Sequence, residues 1–152
     1  MKLVIEIDPD RPEEIVIRAQ RSDERLRALQ AAVERAMSDP GEIALRSGEG
    51  EIFIKTAEIL FCEVAGERLW VHTARDVYES PGRLYELESV LPRYFVRAGK
   101  GSLVNVRQIA SISRSPTGVG EVRFFSSEKK TYISRRYYKV VRDEIEEERL
   151  RT

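Results

Sequence analysis

Between Glu42 and Ile133 the chain is cut into short β-type segments, and this punctuation limits the fold more than any other feature. Residues 42–46, 51–54, 58–63 and 68–73 are short apolar-rich segments, separated by Ser47-Gly48-Glu49-Gly50 and Ala65-Gly66-Glu67, and a further brief strand is expected at 76–78. Segments of this length bounded by turn residues read as strands, and turns this tight join only antiparallel neighbours. After Pro81-Gly82 the spacing changes. Leu84, Leu87 and Leu91 share one helical face, and Pro92 stops that helix because proline has no N–H with which to continue it. The β pattern then resumes at 94–96, 104–106, 110–114, 121–125 and 131–133, with 115–120 and 126–130 as turns. The expected class is mainly β with few helices, an α+β arrangement.

The two ends read differently. Leu3, Ile5 and Ile7 alternate, and Ile15 and Ile17 repeat the pattern after Asp8-Pro9-Asp10-Arg11-Pro12, so two short strands joined by a turn are expected. Ser22 then reads as the cap of a helix, with Asp23 and Glu24 in its first turn and Leu26, Leu29, Val33 and Met37 as an apolar stripe that ends before Asp39-Pro40-Gly41. That stripe suits core packing or a homodimer contact. Ser134 reads as the cap of a last helix: Tyr137, Tyr138, Val141 and Ile145 lie on one side, and Arg135, Lys139 and Arg142, with Arg136 beside them, on the other. The chain divides into a strand-strand-helix extension (1–40), a main β domain (41–142) and the acidic end of the last helix (143–152).

A formal net charge of zero conceals strong segregation. Residues 1–40 carry seven basic and nine acidic side chains, and residues 143–152 carry two and five, but residues 93–142 hold twelve basic side chains against only Glu121 and Glu128. A block of that sign and density calls for a polyanion. The acidic, alternating amino terminus lacks the apolar block of a signal peptide and no long uncharged apolar run occurs, so a cytoplasmic protein is expected. The single cysteine, Cys62, and single histidine, His72, cannot together supply a zinc site of ordinary spacing, so neither metal nor cofactor is expected. As an enzyme the chain would have to use Cys62 and His72, or Ser102 or Ser134, as nucleophile and base. No carboxylate pair or nucleotide-binding glycine motif accompanies them.

One set of short motifs carries more information than the charge. Ile59-Leu60-Phe61-Cys62-Glu63-Val64, the short helix ending in Leu91-Pro92, Tyr94-Phe95-Val96-Arg97, Leu103-Val104-Asn105, then Ile109, Ser111-Ile112 and finally Ile133-Ser134-Arg135-Arg136-Tyr137-Tyr138 stand in an order that resembles the LytTR DNA-binding domains of bacterial response regulators. The resemblance covers residues 42–142. It implies an elongated, mostly antiparallel β fold with a short middle helix and a carboxy-terminal helix, which reads double-stranded DNA in the major groove through loops instead of a recognition helix. The chain then resembles short LytTR transcription regulators without a receiver domain, some of them restrained by a membrane protein, so a membrane-protein inhibitor joins double-stranded DNA and a homodimer as an implied partner. The alternative is a protein-interaction or RNA-binding β module without operator specificity.

Carried onto this sequence, the resemblance names three contact regions. In the first, Arg68 follows the Gly66-Glu67 turn and suits guanine or phosphate, or simply a hairpin tip. In the second, Arg97, Lys100 and Ser102 flank Gly99 and Gly101, which stand where many members have histidine and serine; backbone amides there suit phosphate, while a solvated turn is the alternative. In the third, Ser134, Arg135, Arg136 and Lys139 open the last helix, with Arg136 best matched to the base-reading position; a solvated helix face is the competing assignment. Lys129 and Lys130 suit backbone phosphates. Asn105 suits buried backbone groups, and Trp70, Phe61, Phe95 and Phe124 suit the core.

Overall fold

The structure, a computed structural model, describes residues 1–37 and 39–151, the side chains at 35 and 151 excepted. Two antiparallel sheets form the body. In chain order, β1 (Glu42–Ser47) and β2 (Gly50–Lys55) make a hairpin, a 3-10 turn over Thr56–Glu58 leads to β3 (Phe61–Ala65) and β4 (Arg68–His72), and β5 (Val77–Ser80) precedes α2 (Leu84–Val90), α1 (Glu24–Met37) lying upstream. Then follow β6 (Phe95–Gly99), β7 (Ser102–Asn105), β8 (Ile109–Arg114), β9 (Gly120–Phe124), β10 (Lys130–Ile133) and α3 (Tyr138–Arg151). The larger sheet runs β2-β1-β5-β4-β3-β7-β6, and the smaller runs β10-β9-β8. Among the described residues no helix is long and apolar enough to cross a membrane.

Register explains which side chains reach the core. Cys62 lies opposite both Val71 and Leu103, all three buried, so one face of β3, β4 and β7 closes on Ile59, Leu60 and Leu69. Trp70 falls between Leu69 and Val71 in the same strand and must point the other way. It is half-buried, opposite Glu63 and Glu79, which corrects its expected place in the core. On that second face Phe61 stacks on His72 at 4.2 Å and on Phe124 of β9 at 5.7 Å, joining the two sheets. Asn105 is fully buried: its Nδ2 donates to the Ile59 carbonyl at 2.8 Å and its Oδ1 accepts from the Arg107 N–H at 3.0 Å.

The last helix is anchored along its length. Tyr138 and Val141 enter the core, and Glu148, 3% exposed, receives the Arg107 Nε at 2.5 Å while the Arg107 guanidinium lies 4.1 Å over the Tyr94 ring. The acidic end of the chain is thus packed against the β body. Gly120 shows how close that packing is, since a β-carbon there would sit 2.7 Å from Cδ2 of Tyr138. Gly120→Ala is expected to cost about 2 kcal/mol through forced displacement of that ring, seen as a lowered thermal midpoint by circular dichroism.

Three local expectations are corrected. Residues 1–23 contain no strand, and Leu3, Ile5, Ile7 and Ile15 are exposed. Alternation alone does not hold a hairpin that has no third strand or helix to cover it. The cap of α1 is Asp23, whose Oδ1 accepts from the Leu26 N–H at 2.9 Å, not Ser22; Leu26, Leu29 and Val33 are half-buried and Met37 exposed, none of them in the core. After α1, Asp39 is tied to the β body: its carboxylate accepts from the Gly41 N–H, the Thr56 hydroxyl and the Tyr94 hydroxyl. Burial opposes its ionisation, but those donors and the Arg107 charge outweigh burial and hold it below the ordinary carboxylate value.

Candidate nucleic-acid interface

Three turns meet along one rim of the larger sheet. The β3–β4 hairpin closes through Gly66-Glu67, with Gly66 at φ +66°, where a β-carbon would be strained. The β6–β7 hairpin closes through Lys100-Gly101, so most of the second expected region lies in two strands joined by a tight turn, with a register shift between Arg97 and Gly99. The Gly101 carbonyl accepts from the Val64 N–H at 2.8 Å, tying this turn to the strand that leads into the first. The third turn is 134–137. Ser134 donates its N–H to the Ala98 carbonyl at 2.8 Å and accepts from the Tyr137 N–H at 3.0 Å, so α3 starts only at Tyr138. The expected helix start at Ser134 is thus corrected: its backbone bridges β10 to β6 and a turn over 135–137 precedes the helix.

The rim gathers cations of two kinds. Lys100, Arg135, Arg136 and Lys139 are exposed and, among the described residues, have no ion-pair partner. The remaining cations are committed. Arg97 pairs with Glu88 through Nε and donates from Nη1 to the Lys100 carbonyl at 2.7 Å, so it braces the turn that displays Lys100. Arg68 lies 3.8 Å from Glu79, which Arg46 shares at 3.7 Å. Ser102 and Ser134 are half-buried. Arg114, which pattern reading passed over as an ordinary strand residue, lies 4.8 Å over the Tyr138 ring, and the stem of Arg135 covers Gly118 in the β8–β9 turn. The cationic rim therefore continues onto the smaller sheet.

Lys129 and Lys130 lie elsewhere. Lys130 opens β10 and Ser134 follows its end, so the two are separated by roughly 13 Å of extended chain. Lys130 and Arg123 both face Glu121, at 3.9 and 3.1 Å. Lys129 is turned inward: its ammonium donates to the Asp76 carbonyl at 2.6 Å and lies 3.3 Å from His72 Nδ1, while its N–H bonds the Ser127 hydroxyl, which in turn donates to the Ala74 carbonyl. Burial lowers the Lys129 pKa, against the Asp76 charge. Lys129 thus latches the β9–β10 turn to the β4–β5 loop.

His72 completes that latch, with Nε2 3.2 Å from a Glu63 carboxylate oxygen. Burial and the Lys129 charge lower its pKa below the ordinary 6.5, and Glu63 opposes them only in part. A histidine whose folded pKa is depressed binds protons better when the chain unfolds. Its contribution is therefore complete above pH 6.5 and is lost as pH falls from there toward the folded value. Thermal midpoints measured through that window should fall with pH, and His72→Gln should flatten the fall. Cys62 is not part of this group: it leaves the opposite face of β3, and burial pushes its thiol pKa up, which suits an inert core side chain.

The comparisons with known proteins bear on this arrangement directly. Residues 49–146 match the family described as the LytTr DNA-binding domain. The chain belongs to that family. A solved structure, described as the LytTr DNA-binding domain of a putative methyl-accepting/DNA response regulator from Bacillus cereus, superposes with a TM-score of 0.63 at 19% identity, covering 69% of this chain and 96% of that one. Among sequence relatives, an uncharacterized HTH-type transcriptional regulator of Staphylococcus aureus strain N315 is 29% identical over 93 residues, and one of strain MRSA252 is 28% identical over the same length. The match spans 60% of this chain and 62% of the length of those relatives.

The second of the three expected regions carries glycine at positions 99 and 101. Neither Gly99 nor Gly101 has a positive φ. A β-carbon at Gly101 would make an ordinary 3.5 Å contact with Val64, and one at Gly99 would press on the Ser102 hydroxyl at 3.1 Å. Backbone conformation requires glycine at neither position. Their effect is to leave Lys100 as the one long side chain of that turn.

Proposed function

We propose that this chain is a sequence-specific transcription regulator that binds double-stranded DNA, setting the three-turn rim against the major groove. The observation that carries the reading is the physical joining of the turns: the Val64–Gly101 and Ser134–Ala98 hydrogen bonds hold Lys100 and the Arg135-Arg136 pair as one unit, with their charges unspent. Phosphate contacts need cations at fixed separation, and base readout needs at least one of them to reach a base edge. In this reading Arg136 reads a base, bidentate guanine being the favoured partner of an arginine, while Lys100, Arg135 and Lys139 hold phosphates and the turn amides near Gly99 and Gly101 stand in for absent polar side chains. Arg97 and Ser102 support the turn, and Arg68 joins only by giving up Glu79. Lys129 holds its own loop and stands outside the rim.

The relatives' names denote a helix-turn-helix type. Here α2 spans only Leu84–Val90 and is followed by a strand, so the rim of turns takes the role that a recognition helix has elsewhere. Single-strand binding has one observation in its favour: Phe125 and Tyr132 are exposed among Arg123, Lys129 and Lys130, as stacking would require. A labelled duplex from the region upstream of the chain's own coding sequence should bind in preference to random duplex and to single strands, and methylation of guanine N7 should interfere with binding. Equal binding of all three probes would refute operator recognition.

A further inference from the structure

We infer that the amino-terminal arm, residues 2–7, adds as a parallel strand to the free edge of β2 in a second copy of the chain, and that reciprocal exchange makes a two-fold dimer. β2 closes one side of the larger sheet: β1 occupies one of its edges, and among the described residues no strand occupies the other. An open edge of this kind is a template for another strand. The arm holds matching material. Leu3, Ile5 and Ile7 are 86%, 76% and 93% exposed, and none of them belongs to the core.

The arm itself is neutral, with Lys2 and Glu6 at its two ends, so it offers no net charge to a polyanion and suits an apolar strand edge flanked by opposite charges. The two sequences then specify the pairing. Lys2-Leu3-Val4-Ile5-Glu6 laid parallel to Glu51-Ile52-Phe53-Ile54-Lys55 sets Lys2 beside Glu51 and Glu6 beside Lys55. The same register brings Leu3 and Ile5 alongside Ile52 and Ile54, whose side chains face the core, and Val4 against Phe53, which is 61% exposed on the outer face. The antiparallel alternative keeps the apolar neighbours but opposes Lys2 to Lys55 and Glu6 to Glu51, and like charges placed directly across a ladder destabilise it. Asp8-Pro9 ends the added strand, because proline supplies no N–H. Glu14-Ile15-Val16-Ile17-Arg18 shares the alternation, but Ile17 is already half-buried. Among the described residues the arm has no strand partner in its own subunit, only the exposed Glu6–Arg11 ion pair, and a segment so lightly held exchanges between identical subunits at low cost. The dimer does not depend on the DNA reading.

Cysteine pairing in the full chain tests the register. Val4→Cys mixed with Phe53→Cys under mild oxidation should give a disulfide-linked pair on a non-reducing gel, with neither variant linking to itself; Cys62, fully buried, stays out of the reaction. The unaltered chain should sediment as a dimer at micromolar concentration and Ile5→Asp as a folded monomer with an unchanged circular-dichroism spectrum, since that side chain lies outside the core of its own subunit. Linkage by Val16→Cys instead of Val4→Cys would overturn the register. The dimer itself is overturned if the unaltered chain is monomeric, if Ile5→Asp leaves the dimer intact, or if the arm associates only with detergent micelles.

Discussion

Asn105→Ala is expected to destabilise the chain by about 3 kcal/mol, because the buried Ile59 carbonyl and the part-buried Arg107 N–H lose their partner and the truncated side chain leaves a void. Asn105 is the hinge of the core. Its amide holds the Ile59 carbonyl at the entrance to β3, and its carbonyl oxygen caps the turn at Arg107, the residue that stacks on Tyr94 and pairs with Glu148. One side chain thus serves the central sheet, the start of the smaller sheet and the end of α3. In a domain of this size, that loss lowers the thermal midpoint by roughly 9 °C. Scanning calorimetry reads it directly, and a shift of under about 2 °C would mean that water satisfies both groups.

The second large effect falls on binding and leaves stability alone. Lys100→Ala with Arg136→Ala removes two exposed cations that hold no protein group, so folding should be unchanged. If Arg136 reads a base edge, its loss alone costs about 2 kcal/mol, roughly thirtyfold in affinity, and relaxes discrimination at one position. Lys100, as a phosphate contact, should weaken operator and random duplex alike. Fluorescence anisotropy on both duplexes separates these outcomes. Equal losses on the two duplexes for Arg136→Ala would make it a phosphate contact too.

What pattern reading delivers and what it misses follow one physical division. Hairpins such as β1–β2 are announced by local turn chemistry, Ser47-Gly48-Glu49-Gly50, and Pro92 marks the end of α2 within the chain itself, whereas the strands expected at 58–63 and 104–106 are displaced to Phe61–Ala65 and Ser102–Asn105 by the 3-10 turns over Thr56–Glu58 and Val106–Gln108. Features that depend on a distant partner are not announced. Ser134 has the chemistry of a helix cap, but its backbone is held by Ala98 of β6 and the helix starts four residues later, at Tyr138. Trp70 is apolar enough for the core, yet the parity imposed by Leu69 and Val71 turns it outward. Arg97 and Arg68 look like the other basic residues until the fold brings Glu88 and Glu79 beside them. Lys129 has the composition of a phosphate contact, and the Asp76 carbonyl and His72 turn it inward. The motif order therefore identifies the family, whereas the division of the basic residues into committed and available ones needs the register of the sheets.

In the proposed function, the rim built from Lys100 and the Arg135-Arg136 turn is the surface that meets DNA. The most direct measurement is the salt dependence of operator affinity for the unaltered chain and for the Lys100→Ala/Arg136→Ala double variant. Each phosphate contact contributes about 0.9 to the slope of log affinity against log salt concentration. The account predicts a double variant that folds normally, binds at least tenfold more weakly, and has a slope shallower by about one to two. A double variant whose affinity and slope match those of the unaltered chain would contradict it, and would place the DNA on another face of the molecule.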